Sequence, residues 1–118
     1  MGLDTIAMIS WEDGKYVEAP NDWFNGTDLL SRGCMGELNW IRGKVYDKVI
    51  KEVSGYTLYD QLNNITVREI SSKLDEYTQT HLANIERRSI LINCSELKQL
   101  NLWFKIAAEK GCFLDAWY

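Results

Sequence analysis

The sequence has few of the residues that interrupt or loosen a compact fold. It contains one proline and eight glycines among 118 residues, which argues against a disordered, repetitive or collagen-like protein. No run approaches the roughly 18 apolar residues of a membrane-spanning helix, and the first residues lack the basic and apolar regions of a secretion signal. We therefore expect a single globular domain over residues 1–118 that is cytoplasmic and binds no membrane.

Positive charge is also in short supply. Lys and Arg number 13 against 17 Asp and Glu, which gives a formal net charge of −4, so the chain lacks the basic field that general nucleic-acid binding needs. Its three cysteines, Cys34, Cys94 and Cys112, are an odd number at wide spacings. Disulfide frameworks and cysteine metal sites have paired spacings instead. We expect reduced thiols and no metal or other cofactor.

Aromatic residues, by contrast, are abundant, with five Trp, six Tyr and three Phe. A chain of this length buries about two-thirds of the surface that its unfolded form exposes, so most of these rings are expected in one core. Trp11, Trp23, Trp40 and Trp117 cannot all be presumed to lie at the centre of a small domain. An exposed cluster of Trp or Tyr would mark a protein interface.

Alternating and apolar runs predict strands at both ends of the chain. Residues 3–11 read as a central strand, Asp13-Gly14 as a hairpin turn, and residues 15–19 as the returning strand. The segment from Pro20 to residue 36 predicts an ordered loop that Trp23 and Phe24 pin to the core. The apolar and aromatic run at 112–118 predicts a last strand beside the first.

A first helix is predicted from Val45 to Gly55, because a glycine is well suited to end a helix. Its inner face should consist of Val45, Tyr46, Val49, Ile50 and Val53, and its outer face of Asp47, Lys48, Lys51 and Glu52. β-Branched residues have modest helix propensity, so this helix should depend on packing against the sheet.

Two further helices follow. Thr66 and Glu69 have the spacing of a capping box, which predicts a helix from there to about His81. Ser95 is the predicted N-cap of the third helix, and Gly111 lies just past its end. The apolar stripes are Val67, Ile70, Leu74 and Tyr77 in the second helix, and Leu97, Leu100, Trp103, Phe104 and Ala107 in the third. The predicted fold class is α+β, a small, mainly antiparallel sheet with about three helices on one face and its first and last strands as neighbours.

Several segments share a pattern with other sequences: Met1-Gly2-Leu3-Asp4-Thr5, Cys34-Met35-Gly36, Ile41-Arg42-Gly43-Lys44-Val45-Tyr46, Leu58-Tyr59, and Trp103-Phe104 through to Ala116-Trp117-Tyr118. They resemble a family of small uncharacterised microbial proteins that open with the same five residues and carry a Phe-Arg-Gly-Lys-Val-Tyr segment. This chain has Ile41 in place of that Phe. The resemblance implies a common fold and transfers no activity or site residue.

The segment Arg42-Gly43-Lys44 is the best candidate for a ligand site. Two cations and a glycine stand where the first helix begins, and amides at a helix start together with positive charge can bind a phosphate or carboxylate. The alternative is a solvated turn in which Arg42 pairs with a nearby acid such as Asp47. No phosphate-loop spacing accompanies the segment.

A second candidate lies in Arg32-Gly33-Cys34-Met35-Gly36, where Arg32 could lower the pKa of the Cys34 thiol. A nucleophilic role would also need a base, and His81 is the sole histidine of the chain. The alternative, which we favour, is that Cys34 is a small buried apolar residue at a tight turn.

Acidic residues could gather around a divalent ion at Glu12, Asp13, Asp22 and Glu37. Turn chemistry explains Asp13 and Asp22, however, and Glu12 and Glu37 read as ordinary solvated acids. The sequence therefore favours a non-enzymatic binding domain for a small anionic ligand or a partner protein, with homodimerisation possible. The alternatives are an interaction or inhibitory module that uses exposed aromatics, and a cysteine-dependent enzyme that uses Cys34 with His81.

Overall fold

The secondary structure combines four antiparallel strands with three helices and one short 3-10 helix, as seen in a computed structural model that describes residues 3–10, 16–29, 32, 37–83 and 94–117. The strands are β1 (Asp4–Ser10), β2 (Tyr16–Glu18), β3 (Trp40–Ile41) and β4 (Phe113–Trp117), and the helices are α1 (Gly43–Ser54), α2 (Asn64–Ala83) and α3 (Cys94–Glu109). This architecture confirms the predicted α+β fold.

Strand β1 lies at the centre of the sheet. On one edge β1 pairs with β4, and Leu114 of β4 lies opposite Ala7. On the other edge the partner changes at Ala7, whose N–H donates to the carbonyl of Asn39 at 3.0 Å and whose carbonyl accepts the N–H of Ala19 at 2.8 Å. Thus β3 pairs with the first half of β1 and β2 with the second half. The predicted pairing of the first and last strands is confirmed, and the predicted turn at Asp13-Gly14 lies outside the described residues.

Helix α1 begins at Gly43, two residues before its predicted start, and ends where predicted, because Gly55 adopts a φ of 83°. Its inner face differs from the prediction at two positions. Val45 is exposed and Asp47 is buried, because the carboxylate of Asp47 accepts hydrogen bonds from Thr57 Oγ1 and the N–H of Leu58 at 2.9 and 2.7 Å. These two hydrogen bonds compensate for the burial of the Asp47 carboxylate.

The start of α2 is capped by a different residue from the one predicted. Asn63 Oδ1 accepts the N–H of Thr66 at 2.8 Å, so Asn63 is the N-cap and Thr66 lies one turn inside the helix. Helix α3 begins at Cys94, which places Ser95 in its first turn. The predicted inner face of α3 is confirmed, since Leu97, Leu100, Trp103, Phe104 and Ala107 are all fully buried.

The core lies between the helices and one face of the sheet. The sheet contributes three buried side chains to this core, those of Ala7, Ile41 and Leu114. The predicted loop is pinned to this core by a 3-10 helix (Asn21–Phe24), because the buried ring of Phe24 stacks on that of Trp103 at 5.0 Å. None of the described helices is long and apolar enough to cross a membrane.

Candidate binding surface

Arg42 directly precedes α1 and forms an ion pair with β1. Its Nη1 lies 3.4 Å from Oδ1 of Asp4, whose side chain is almost fully buried. Sequence reasoning named Asp47 as an example of a local partner, but the carboxylate of Asp47 is bound by the turn that follows α1. About a third of the Arg42 side chain is still accessible to solvent.

The backbone of the first turn of α1 is largely occupied by protein contacts. Lys44 N–H donates to the carbonyl of Leu3 at 3.2 Å, and the N–H groups of Val45 and Tyr46 donate to the carbonyl of Arg42 at 3.0 and 3.4 Å. These three amides are therefore already paired. The Lys44 side chain and the accessible part of Arg42 are what this segment offers to an anion, and the predicted anion site stays a prediction.

The other predicted site residues are less informative. Arg32 donates from Nη2 to the carbonyl of Thr27 at 2.6 Å, and its backbone bridges to Ile41. Its Nη1 is a buried donor without a partner in the described chain.

Cys34 and the side chain of His81 lie outside the described residues, so their predicted pairing stays untested. No group of three or more His, Cys, Asp or Glu within the described ranges is placed to hold a metal ion.

A surface that the sequence did not locate lies on the sheet itself. Side chains alternate between the two faces of a strand, and residues directly opposite each other share a face. Applied to the observed register, this rule places ten residues on the face opposite the helices: Asp4, Ile6, Met8, Ser10, Tyr16, Glu18, Trp40, Phe113, Asp115 and Trp117. None belongs to the core cluster formed with the helices. We call this set the open face.

Aromatic rings on the open face are organised in two pairs. Tyr16 meets Phe113 with ring centroids 4.9 Å apart and an interplanar angle of 75°. Trp40 meets Trp117 at 5.2 Å and 88°. Such edge-to-face geometries are favourable for aromatic rings. Tyr16 is 64% exposed and Trp117 is 53% exposed, so one ring of each pair is presented to solvent.

Each aromatic pair borders a pocket. The first, which we call the Trp pocket, has a volume of about 480 Å³ and is lined by Glu18, Glu37, Asn39, Trp40 and Trp117. The second has a volume of about 500 Å³ and is lined by Ser10, Tyr16, Gln61, Asn63, Asn64, Gly111 and Phe113. The two pockets differ in chemistry, because two carboxylates line the first and none lines the second.

Hydrogen bonds fix the polar wall of the Trp pocket. Glu18 Oε1 accepts a hydrogen bond from Nε1 of Trp40 and lies 3.4 Å from Nδ2 of Asn39. The same Nδ2 donates to the carbonyl of Ala19 at 2.8 Å. The other amide atom of Asn39, Oδ1, is buried and accepts no hydrogen bond from the described residues. Buried acceptors of this kind are uncommon and call for a partner.

Part of this surface could have been found from the sequence. Phe113, Asp115 and Trp117 alternate along one strand and therefore share a face. The neighbours that complete the two pairs, Tyr16 and Trp40, come from other strands, and only the register places them there.

No protein-family model matches the chain, and the comparisons with curated proteins and with solved structures found no similar protein. The family resemblance noted in the sequence stays a prediction.

Proposed function

We propose that this protein is a non-enzymatic binding module that docks a partner protein on the open face of its sheet. The observation that carries the proposal is the pair of aromatic contacts on a face that the core-forming helices do not cover. Trp and Tyr dominate the energetics of protein interfaces, because they bury a large area and lose little side-chain entropy. An exposed Tyr16 and Trp117, each supported by a second ring, suit this role.

Charge complementarity indicates what kind of partner fits. Glu18 and Asp115 lie on the open face, Glu37 borders it at the Trp pocket, and the whole chain carries a net charge of −4. Opposite potentials steer association and reject like-charged partners. The partner is therefore a protein that presents a basic surface.

Selection from a random peptide library displayed on phage tests the docking face. Peptides enriched on the parent protein should bind the Trp117→Ala and Tyr16→Ala variants at least about tenfold more weakly, as expected when an interface anchor is truncated. The matched control is Leu102→Ala, which removes an exposed apolar side chain from α3, and it should bind as the parent does. Equal binding of the peptides to all four proteins would contradict the proposal.

A second copy of the chain is the competing occupant of the open face. Sedimentation velocity over a range of concentrations should find the parent to be a monomer under the proposal. A dimer that Trp117→Ala dissociates and Leu102→Ala does not would show that the face serves self-association, and the proposed partner protein would then be wrong.

A small anionic ligand is the second candidate function, favoured by the exposed Lys44 beside the partly accessible Arg42. A thermal-shift screen of nucleotides, sugar phosphates and carboxylates tests it, because a ligand at a hundred times its Kd adds about 2.7 kcal/mol of stability. The stabilisation should disappear in Lys44→Ala and persist in Lys48→Ala, which removes an exposed lysine one turn further along α1. If no compound stabilises the parent, or if Lys44→Ala responds equally, this site does not bind anions.

A further inference from the structure

The Trp pocket combines three features. Two indole rings meet nearly at right angles, with Trp117 exposed and Trp40 buried. Two carboxylates, those of Glu18 and Glu37, line the same pocket. Asn39, only 5% exposed, adds a buried carbonyl oxygen without a donor in the described chain. All three features attract the same kind of group.

That group is a cation with hydrogen-bond donors. The face of an indole ring attracts a guanidinium or ammonium group within about 6 Å of its centre. Carboxylates form charge-assisted hydrogen bonds with the same groups, and an amide oxygen accepts one more donor. An anion would be repelled by both carboxylates. An uncharged apolar group would displace water from the two carboxylates without replacing the hydrogen bonds that this water forms.

We propose that the Trp pocket receives a cationic side chain of the docked partner, the guanidinium of an arginine or the ammonium of a lysine. This inference rests on the proposed docking face and names the chemical group recognised there. In the docked state the cation lies against the exposed indole of Trp117 and bonds to Glu18 and Glu37. The pocket volume of about 480 Å³ leaves room for one such group.

Titration of small probes, followed through the indole N–H signals in ¹⁵N NMR spectra, tests this proposal. The cationic probes are N-acetyl-arginine amide and N-acetyl-lysine amide, and N-acetyl-citrulline amide is the neutral analogue of the first. Both cations should shift the Trp40 and Trp117 signals in a saturable way, and citrulline should bind about tenfold more weakly, as expected for loss of a cation–π contact and a charged hydrogen bond. Trp40→Phe and Trp117→Phe assign the two signals.

Charge-matched variants separate the pocket from the general acidity of the chain. Glu18→Gln combined with Glu37→Gln should weaken cation binding about tenfold, whereas Glu52→Gln combined with Glu109→Gln, which neutralises exposed acids on α1 and α3, should leave it unchanged. Trp117→Ala provides a second test at an exposed position, should the first double variant fold poorly. The signal of Trp103, a core residue, reports that each variant is folded.

The outcomes distinguish this inference from the proposed function. Equal binding of citrulline and arginine, absence of any saturable shift, or equal binding by both double variants would overturn the cation pocket. If library peptides need Trp117 yet carry no Arg or Lys, the docking face stands and the cation pocket is wrong. If selected peptides bind independently of Trp117 and Tyr16, the docking face itself is wrong.

Discussion

A Cβ atom on Gly43 would lie 2.3 Å from Oγ1 of Thr5 and 2.9 Å from Cδ2 of Leu3. The first turn of α1 therefore packs directly on β1, and only glycine leaves room for that contact. Because this glycine is buried, the lack of a side chain here allows the helix to pack closely on the strand. The glycine of the Arg42-Gly43-Lys44 segment is thus required by packing against the core.

Gly43→Ala should destabilise the protein, although alanine is ordinarily favoured over glycine within a helix by about 1 kcal/mol. Overpacking against Thr5 and Leu3 should cost about 1–3 kcal/mol, as measured by urea denaturation. Adding Thr5→Ala should recover part of the loss, because it removes the closer of the two clashes. A Gly43→Ala protein at least as stable as the parent would show that α1 does not pack this closely.

Ile50→Ala should cost about 2–5 kcal/mol, the range for a large-to-small change that leaves a cavity. Ile50 is fully buried on α1, whereas Val45 on the same helix is 52% exposed. Val45→Ala is therefore the matched control, and its effect should stay within about 0.5 kcal/mol. Chemical denaturation of both variants checks the orientation of α1, and equal losses would contradict it.

Asp47→Ala should cost about 1–3 kcal/mol, because it leaves Thr57 Oγ1 and the buried N–H of Leu58 without their acceptor. Asp47→Asn should lose less, since an amide oxygen can accept the same hydrogen bonds. Asp60→Ala removes an exposed acid from the same turn region and controls for net charge. If thermal melts show the Asp47 and Asp60 variants to be equally stable, the carboxylate of Asp47 has no structural role.

Cys112 should resist alkylation in the folded protein. The residue is fully buried, and burial raises the pKa of its thiol from 9.0 to about 11, so the reactive thiolate is scarce near neutral pH. Iodoacetamide treatment followed by peptide mapping should modify Cys112 only after guanidinium chloride is added. Equal rates with and without denaturant would contradict this burial. The same map reports on Cys34, whose rapid and selective modification would favour the cysteine-dependent enzyme.

The Cys112 thiol should also contribute to the pH dependence of stability. The folded protein holds this proton more tightly than the unfolded chain does, so the thiol stabilises the fold fully below pH 9.0. That contribution is lost as the pH rises from there towards 11. Comparison of the parent with Cys112→Ala in alkaline denaturation experiments should show a steeper loss of stability for the parent.

Much of the secondary structure could be predicted from sequence, because it depends on periodicities within one segment. The stripe of α3 from Leu97 to Ala107 follows the 3.6-residue repeat, and Gly55 and Gly111 adopt the positive φ that ends a helix. The errors arose where a nearby group formed a hydrogen bond that the periodicity does not reveal. Asn63 caps α2 in place of Thr66. Asp47 is buried because it accepts hydrogen bonds from two donors just beyond the end of α1.

What the sequence by itself determined was the three helices, three of the four strands, their order and most of the apolar residues that form the core, since each follows from spacing along a few turns or one strand. Only the tertiary structure decided which edge of β1 each strand would take. The change of partner at Ala7 sets Trp40 on the same face as Trp117 and close to Glu18. These residues lie far apart in the chain, and no local pattern specifies contacts that arise from strand register.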